Sequence, residues 1–154
     1  MKCIKASFKE DILPGGARSK FPYVSVKVYI NGEEYGIVDF LIDTGAGLTV
    51  ISPKDSLRLG LSRARGRTVK VIGIAGAETA NVITGNIRLE LLDEESEKPL
   101  PVELDSITYR RMPRARGREY QQQLRIPSVL GWDVLRKLII KMNFNNNIVE
   151  ICKL

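Results

Sequence analysis

The sequence has no histidine, and only two cysteines, Cys3 and Cys152, in 154 residues. The first absence removes Ser-His and Cys-His catalytic pairs. Together with the lack of any CxxC spacing, it also removes the usual zinc sites. Acid–base chemistry is left to carboxylates, Lys, Tyr or Cys. Aromatic residues make up only 6% of the chain, which leaves little material for base-stacking platforms. No apolar run approaches the roughly 20 residues needed to cross a bilayer. The N-terminal "MKCIKASFKED" alternates charge and apolarity and lacks the continuous apolar region of a signal peptide. A cytoplasmic protein with no membrane partner is expected, with Cys3 and Cys152 as reduced, packed thiols. A disulfide between them would require the terminal strands to pair.

What is present is the composition of a soluble globular protein, 44% hydrophobic and 27% charged, at a length that suits a single domain over residues 1–154. The net charge is +6, and part of the excess is concentrated. "RARGR" occurs at Arg63–Arg67 and again at Arg114–Arg118, the second run preceded by Arg110 and Arg111. Such runs can contact phosphates, and equally can form a solvated loop face.

Most of the chain has strand character. "YVSVKVYI" sets Val24, Val26, Val28 and Ile30 on one face and Ser25, Lys27 and Tyr29 on the other. Asn31-Gly32 then predicts a tight hairpin turn, with a return strand from about Glu34 to Ile42. "SPKDSLRLG" predicts a short helix: Ser52 caps it, Pro53 suits its first position, and Gly60 stops it. Further strands are predicted over Thr68–Ile72, about Glu78–Leu92, Leu100–Tyr109, the "LRIPSVL" segment and the terminal "NIVEICKL". Arg110 to Gln123 is expected to be an exposed loop, and "WDVLRKLII" a helix with Trp132, Leu135, Leu138 and Ile139 on one stripe. The fold class is all-β, a compact barrel with one or two short helices.

One acid stands out. Asp43 follows the apolar run Phe40-Leu41-Ile42 and precedes Thr44-Gly45-Ala46-Gly47 and a second apolar run. A carboxylate carried to the end of a buried strand needs compensating partners, and the small residues after it permit a tight loop. A bare Asp-Thr-Gly arises by chance in roughly a few per cent of chains this long, so the tripeptide alone is modest evidence. Its apolar setting is much rarer.

"FLIDTGA" followed by "LTVIS" resembles the active-site segment of retropepsin-like aspartic proteases. Two more elements follow in the family's order. "VIGIAG", Val71 to Gly76, resembles the flap hairpin, and "SVLGWDVL", Ser128 to Leu135, resembles the strand and helix that complete the ψ-shaped active-site loop. Retroviral members pair an acid four positions after the catalytic Asp with an Arg after the later Gly. Those positions here hold Gly47 and Trp132, which brings the chain closer to the Ddi-like and prokaryotic form.

The resemblance implies an aspartic endopeptidase acting on peptides or unfolded protein, with Asp43 catalytic and Thr44, Gly45 and Ala46 forming its loop. Gly73, Ile74, Ala75 and Gly76 would be the flap, and Val129, Leu130 and Gly131 the supporting strand. Leu41 and Val129 would either line side-chain pockets or pack in the core. The family's chemistry needs two carboxylates and this chain carries one such motif, so a homodimer is implied, with no metal and no cofactor. Asp39 and Asp133 are other acids near the motifs, and Asp133 suits a helix start. Ala46 offers no hydroxyl to the carboxylate, so activity is expected at mildly acidic to near-neutral pH. Two further readings remain: a catalytically silent domain for dimerisation or peptide binding, and a nucleic-acid-binding protein that uses the RARGR segments.

Overall fold

The structure, a computed structural model, describes residues 1–12, 15–64, 66–73 and 76–154, with backbone alone at 71–73 and 76–78. Strands make up 54% of the chain, which places it in the all-β class. The strands are β1 (Lys2–Ile12), β2 (Arg18–Ile30), β3 (Glu33–Ile42), β4 (Val50–Ile51), β5 (Arg67–Gly73), β6 (Gly76–Leu91), β7 (Leu100–Tyr109), β8 (Ser128–Leu130), β9 (Ile139–Asn143) and β10 (Ile148–Lys153). Among the described residues three short α-helices interrupt them, α1 (Pro53–Leu59), α2 (Arg118–Gln123) and α3 (Trp132–Leu135), with one 3-10 turn at Leu61–Arg63.

The strands form one sheet in the order β5-β6-β7-β4-β8-β3-β2-β1-β10-β9. An additional β2–β6 pairing, Val26 opposite Leu91 through Ile30 opposite Ile87, closes the middle strands into a barrel. Its interior is filled by the alternate residues that the sequence marks out. Val26, Val28, Val38 and Phe40 are fully buried, as are Leu89, Leu91 and Val102 from the opposite wall. Asn31 and Gly32 both adopt positive φ, 49° and 81°, as a primed hairpin turn demands. Helix α1 follows its sequence signals: the Ser52 hydroxyl accepts from the Asp55 N–H, Pro53 opens the helix, and Gly60 ends it in the left-handed conformation.

Three expectations are corrected. The segment Arg110 to Gln123 is not all loop, because its last six residues coil into α2. The helix after Gly131 ends at Leu135 rather than running through Ile139. From Ile139 the chain alternates as β9 and pairs with β10, Ile140 opposite Ile151 and Met142 opposite Val149. The N-terminal residues form a long strand, β1, paired with both β2 and β10. That pairing sets Cys3 directly opposite Cys152, and the two sulfurs are bonded rather than reduced. Reduced thiols are what a cytoplasmic compartment implies, and that expectation is the one the bond overturns. No described helix is long and apolar enough to cross a membrane.

Candidate active site

Strand β3 brings Asp43 to the seam where the barrel's parallel and antiparallel pairings meet. Ile42 lies beside Leu130 of β8, and the Asp43 N–H donates to the Leu130 carbonyl at 3.1 Å. The chain then turns tightly, with the Ala46 N–H returning to the Asp43 carbonyl at 3.2 Å. The Asp43 side chain is half-buried, and its Oδ1 accepts the Gly45 N–H at 2.9 Å. A Cβ on Gly45 would lie 3.3 Å from that oxygen, so a bare backbone keeps the bond open.

The loop is held from behind by the segment after β8. Gly131 packs so closely beneath it that a Cβ there would strike the Leu48 carbonyl and lie 2.9 Å from the Ala46 oxygen. The Trp132 N–H donates to the Ala46 carbonyl at 2.9 Å, and the Trp132 indole N–H donates to the Thr44 carbonyl at 2.6 Å. Thr49, only 1% exposed, is the knot of this arrangement. Its hydroxyl accepts the Gly131 N–H at 3.0 Å and donates to Asp133 Oδ1 at 2.7 Å. The same oxygen accepts the backbone N–H groups of Thr49 and Val134, each at 2.9 Å. Three donors on one carboxylate oxygen hold the end of the Asp43 loop to the start of α3.

The structure therefore brings Asp43, Thr44, Gly45 and Ala46 together with Val129, Leu130 and Gly131. Leu41 and Val129 are partners across β3 and β8, and both remain partly exposed. Of the expected flap, Gly73 and Gly76 face each other at the end of the β5–β6 ladder. Ile74 and Ala75 lie outside the described residues. The sequence reading missed Thr49 and the indole of Trp132 as loop clamps. A polar β-branched residue inside the run Leu48–Ile51 is the available signal for Thr49, since a buried hydroxyl needs partners.

The other acids near the motifs are committed elsewhere. Asp39 accepts the Ser25 hydroxyl at 2.6 Å and pairs with Lys9 at 3.7 Å, and Asp133 is taken up by Thr49 and Val134. Beside the loop, Thr44, Trp132, Leu135, Leu138, Ile140 and Met142 line an open, mainly apolar groove of about 420 Å³. Trp132 is 59% exposed there, which is unusual for so large an apolar side chain. A larger hollow of about 980 Å³ touches no residue of the Asp43 loop. Several of its polar groups pair with one another: Tyr23 donates to Asp11 at 2.5 Å, and Ser128 and Arg58 both donate to Asp55. Burial, reinforced by Asp11, holds the Tyr23 hydroxyl well above its usual range, so it stays protonated. Among the described residues, no buried side-chain polar atom is left without a partner.

A half-buried Asp on a clamped Asp-Thr-Gly loop, at the end of one barrel strand and beside a second, is the arrangement that the resemblance implies. A family model described as aspartyl protease matches residues 26–134, more than two thirds of the chain. The chain belongs to the retropepsin-like aspartyl protease family. The matched span runs from β2 into α3, so it takes in the Asp43 loop, the β5–β6 hairpin and the Gly131 support. No curated protein matches the chain.

Proposed function

We propose that the protein is an aspartic endopeptidase whose catalytic dyad is assembled from Asp43 of two subunits. The observation that carries this reading is a half-buried Asp43 carboxylate that has only the Gly45 N–H as a partner among the described residues, while Asp39 and Asp133 are both engaged elsewhere. One carboxylate cannot both take a proton from water and give one to a carbonyl oxygen in the same step. Two carboxylates sharing one proton can, because like charges a few ångströms apart do not both ionise. In the assembled site, the ionised Asp43 removes a proton from a water as that water attacks the scissile carbonyl carbon. The protonated Asp43 gives its proton to the carbonyl oxygen. Collapse of the tetrahedral intermediate passes a proton to the leaving nitrogen and releases the two peptide fragments.

The apolar groove beside Thr44 supports the dimer. Trp132, Leu138, Ile140 and Met142 present a surface that a second copy, meeting the first at a twofold axis through the Thr44 loops, would remove from water. With Gly47 and Trp132 in place of a charged pair, as the resemblance to the Ddi-like and prokaryotic form suggests, that contact is made mainly by apolar side chains and the indole. The hairpin β5–β6 serves as the flap over a peptide or unfolded-protein substrate, excluding water from the site. The single-domain reading of residues 1–154 accompanies this proposal.

The test compares wild type with Asp43→Asn for cleavage of an unfolded protein and a mixed peptide library, with and without a pepstatin-type inhibitor, alongside solution mass. The expected result is a dimer in both proteins, with inhibitable cleavage at mildly acidic to near-neutral pH in the wild type alone. A monomer that cleaves nothing sinks the proposal. A dimer that binds peptides without cleaving them at any pH identifies a catalytically silent binding module instead.

A further inference from the structure

The segment that joins β7 to β8, residues 110–127, carries six arginines and one acid, Glu119. Several cations elsewhere in the chain find carboxylates: Lys5 pairs with Glu95, Lys27 with Glu34, Arg63 with Glu33, and Arg88 with Glu90 and Glu103. In the strap, Arg111, Arg114, Arg116, Arg118 and Arg125 are all exposed, and none makes an ion pair with any described residue. Arg111 reaches only the Tyr109 hydroxyl at 3.5 Å, and Arg116 lies over the Tyr120 ring.

The fold brings the end of the other basic run to the start of the strap. Gly66, from the first RARGR, packs against the Tyr109 ring at the point where the strap begins, and Arg67 opens β5 beside it. Two segments about fifty residues apart in sequence thus meet at Tyr109. At its far end the strap runs through Arg125 and Pro127 into β8, whose Val129 lies beside Leu41 and whose Leu130 carbonyl holds the Asp43 N–H. The strap thus leads directly into the strand that pairs with the end of β3 and holds Asp43.

We propose that the Arg111–Arg125 strap is a docking surface for acidic polypeptide, binding Asp- and Glu-rich stretches of a substrate outside the cleft that cuts it. This rests on the endopeptidase reading and names the substrate class. Planar guanidinium groups suit bidentate contact with carboxylates, and arginine supplies every cation of the strap. Nucleic acid fits less well: Tyr120 is the strap's only aromatic residue and already carries the Arg116 guanidinium on its ring.

The test uses full-length Asp43→Asn protein and fluorescence anisotropy of two labelled peptides, one with a Glu-rich flank and one with each Glu replaced by Gln. A third probe is a single-stranded RNA oligonucleotide. At low salt the Glu peptide should bind about tenfold tighter than its Gln counterpart, and the gap should shrink towards parity at high salt. The triple variant Arg114→Ser, Arg116→Ser, Arg118→Ser should remove the gap; these exposed positions leave the fold intact, which circular dichroism checks. Equal affinity for the two peptides, or a preference unchanged in the triple variant, overturns the proposal. RNA binding tighter than that of the Glu peptide reassigns the surface to nucleic acid. Cleavage of both peptides by wild type without a binding preference sinks this inference alone, whereas preference without cleavage sinks the endopeptidase reading alone.

Discussion

Replacing Asp133 by Ala should unfasten the Asp43 loop without touching Asp43. The carboxylate oxygen Oδ1 accepts the Thr49 N–H and the Val134 N–H at 2.9 Å each, and the Thr49 hydroxyl at 2.7 Å. Thr49 is 1% exposed, so its freed N–H finds no water, and a buried donor left unpaired costs about 1–3 kcal/mol. The Thr49 hydroxyl loses its acceptor while still having to receive the Gly131 N–H, and the first turn of α3 loses its capping carboxylate. Together these put the loss near 3 kcal/mol, a sizeable part of the roughly 5–15 kcal/mol that stabilises a domain. Asp133→Asn keeps an acceptor oxygen in place and loses only the charge assistance, about 1 kcal/mol. Urea unfolding measures both, read as a shift of midpoint at constant slope. The reasoning fails if the Ala variant lies within about 1 kcal/mol of wild type, or if the Asn variant is as unstable as the Ala variant.

Three other outcomes follow from named contacts. Trp132→Phe removes the indole N–H that holds the Thr44 carbonyl at 2.6 Å but keeps an aromatic ring on the dimer contact, so stability should fall by about 1 kcal/mol, the net worth of one hydrogen bond, while cleavage falls about tenfold. Parallel unfolding curves and steady-state rates check that split. Cys3→Ser with Cys152→Ser opens a closure spanning 149 residues, which chain entropy values at about 4–5 kcal/mol, and the urea midpoint should drop accordingly. Asp93 accepts the Ser96 hydroxyl, the Lys5 N–H and the Glu95 N–H, bonds that hold its carboxyl below the usual carboxylate range. Its stabilisation is thus complete above pH 3.8 and fades as pH falls through the lowered folded value. Asp93→Asn should cost stability at neutral pH and converge on wild type in acid, as pH-dependent unfolding would show.

Local signals were the legible ones. The β2–β3 hairpin could be read because its alternation and Asn31-Gly32 agree, and α1 because Ser52, Pro53 and Gly60 all mark the same helix. The helix after Gly131 was overextended because Trp132, Leu135, Leu138 and Ile139 share a helical stripe. Pairing of Ile139–Asn143 with β10 overrides that spacing, and Ile140 and Met142 carry the competing period of two. Helix α2 was invisible because "REYQQQ" buries no residue and so has no apolar face to betray it. In the site, Asp43 could be found from its own neighbours. The knot of Thr49, Gly131 and Asp133 joins residues more than 80 positions apart, and the Cys3–Cys152 bond depends on the register of the first strand against the last. Neither is a property of any local stretch.

The central claim, that two copies of Asp43 form one site, is tested most directly by mixing. Wild type is unfolded and refolded together with an equal amount of Asp43→Asn, and cleavage is compared with that of the same quantity of wild type refolded alone. A dyad drawn from two subunits leaves only the wild-type pairs active, so activity per wild-type chain falls to about half. Activity per wild-type chain that is unchanged by the mixing would mean that each chain acts alone, and would contradict the account.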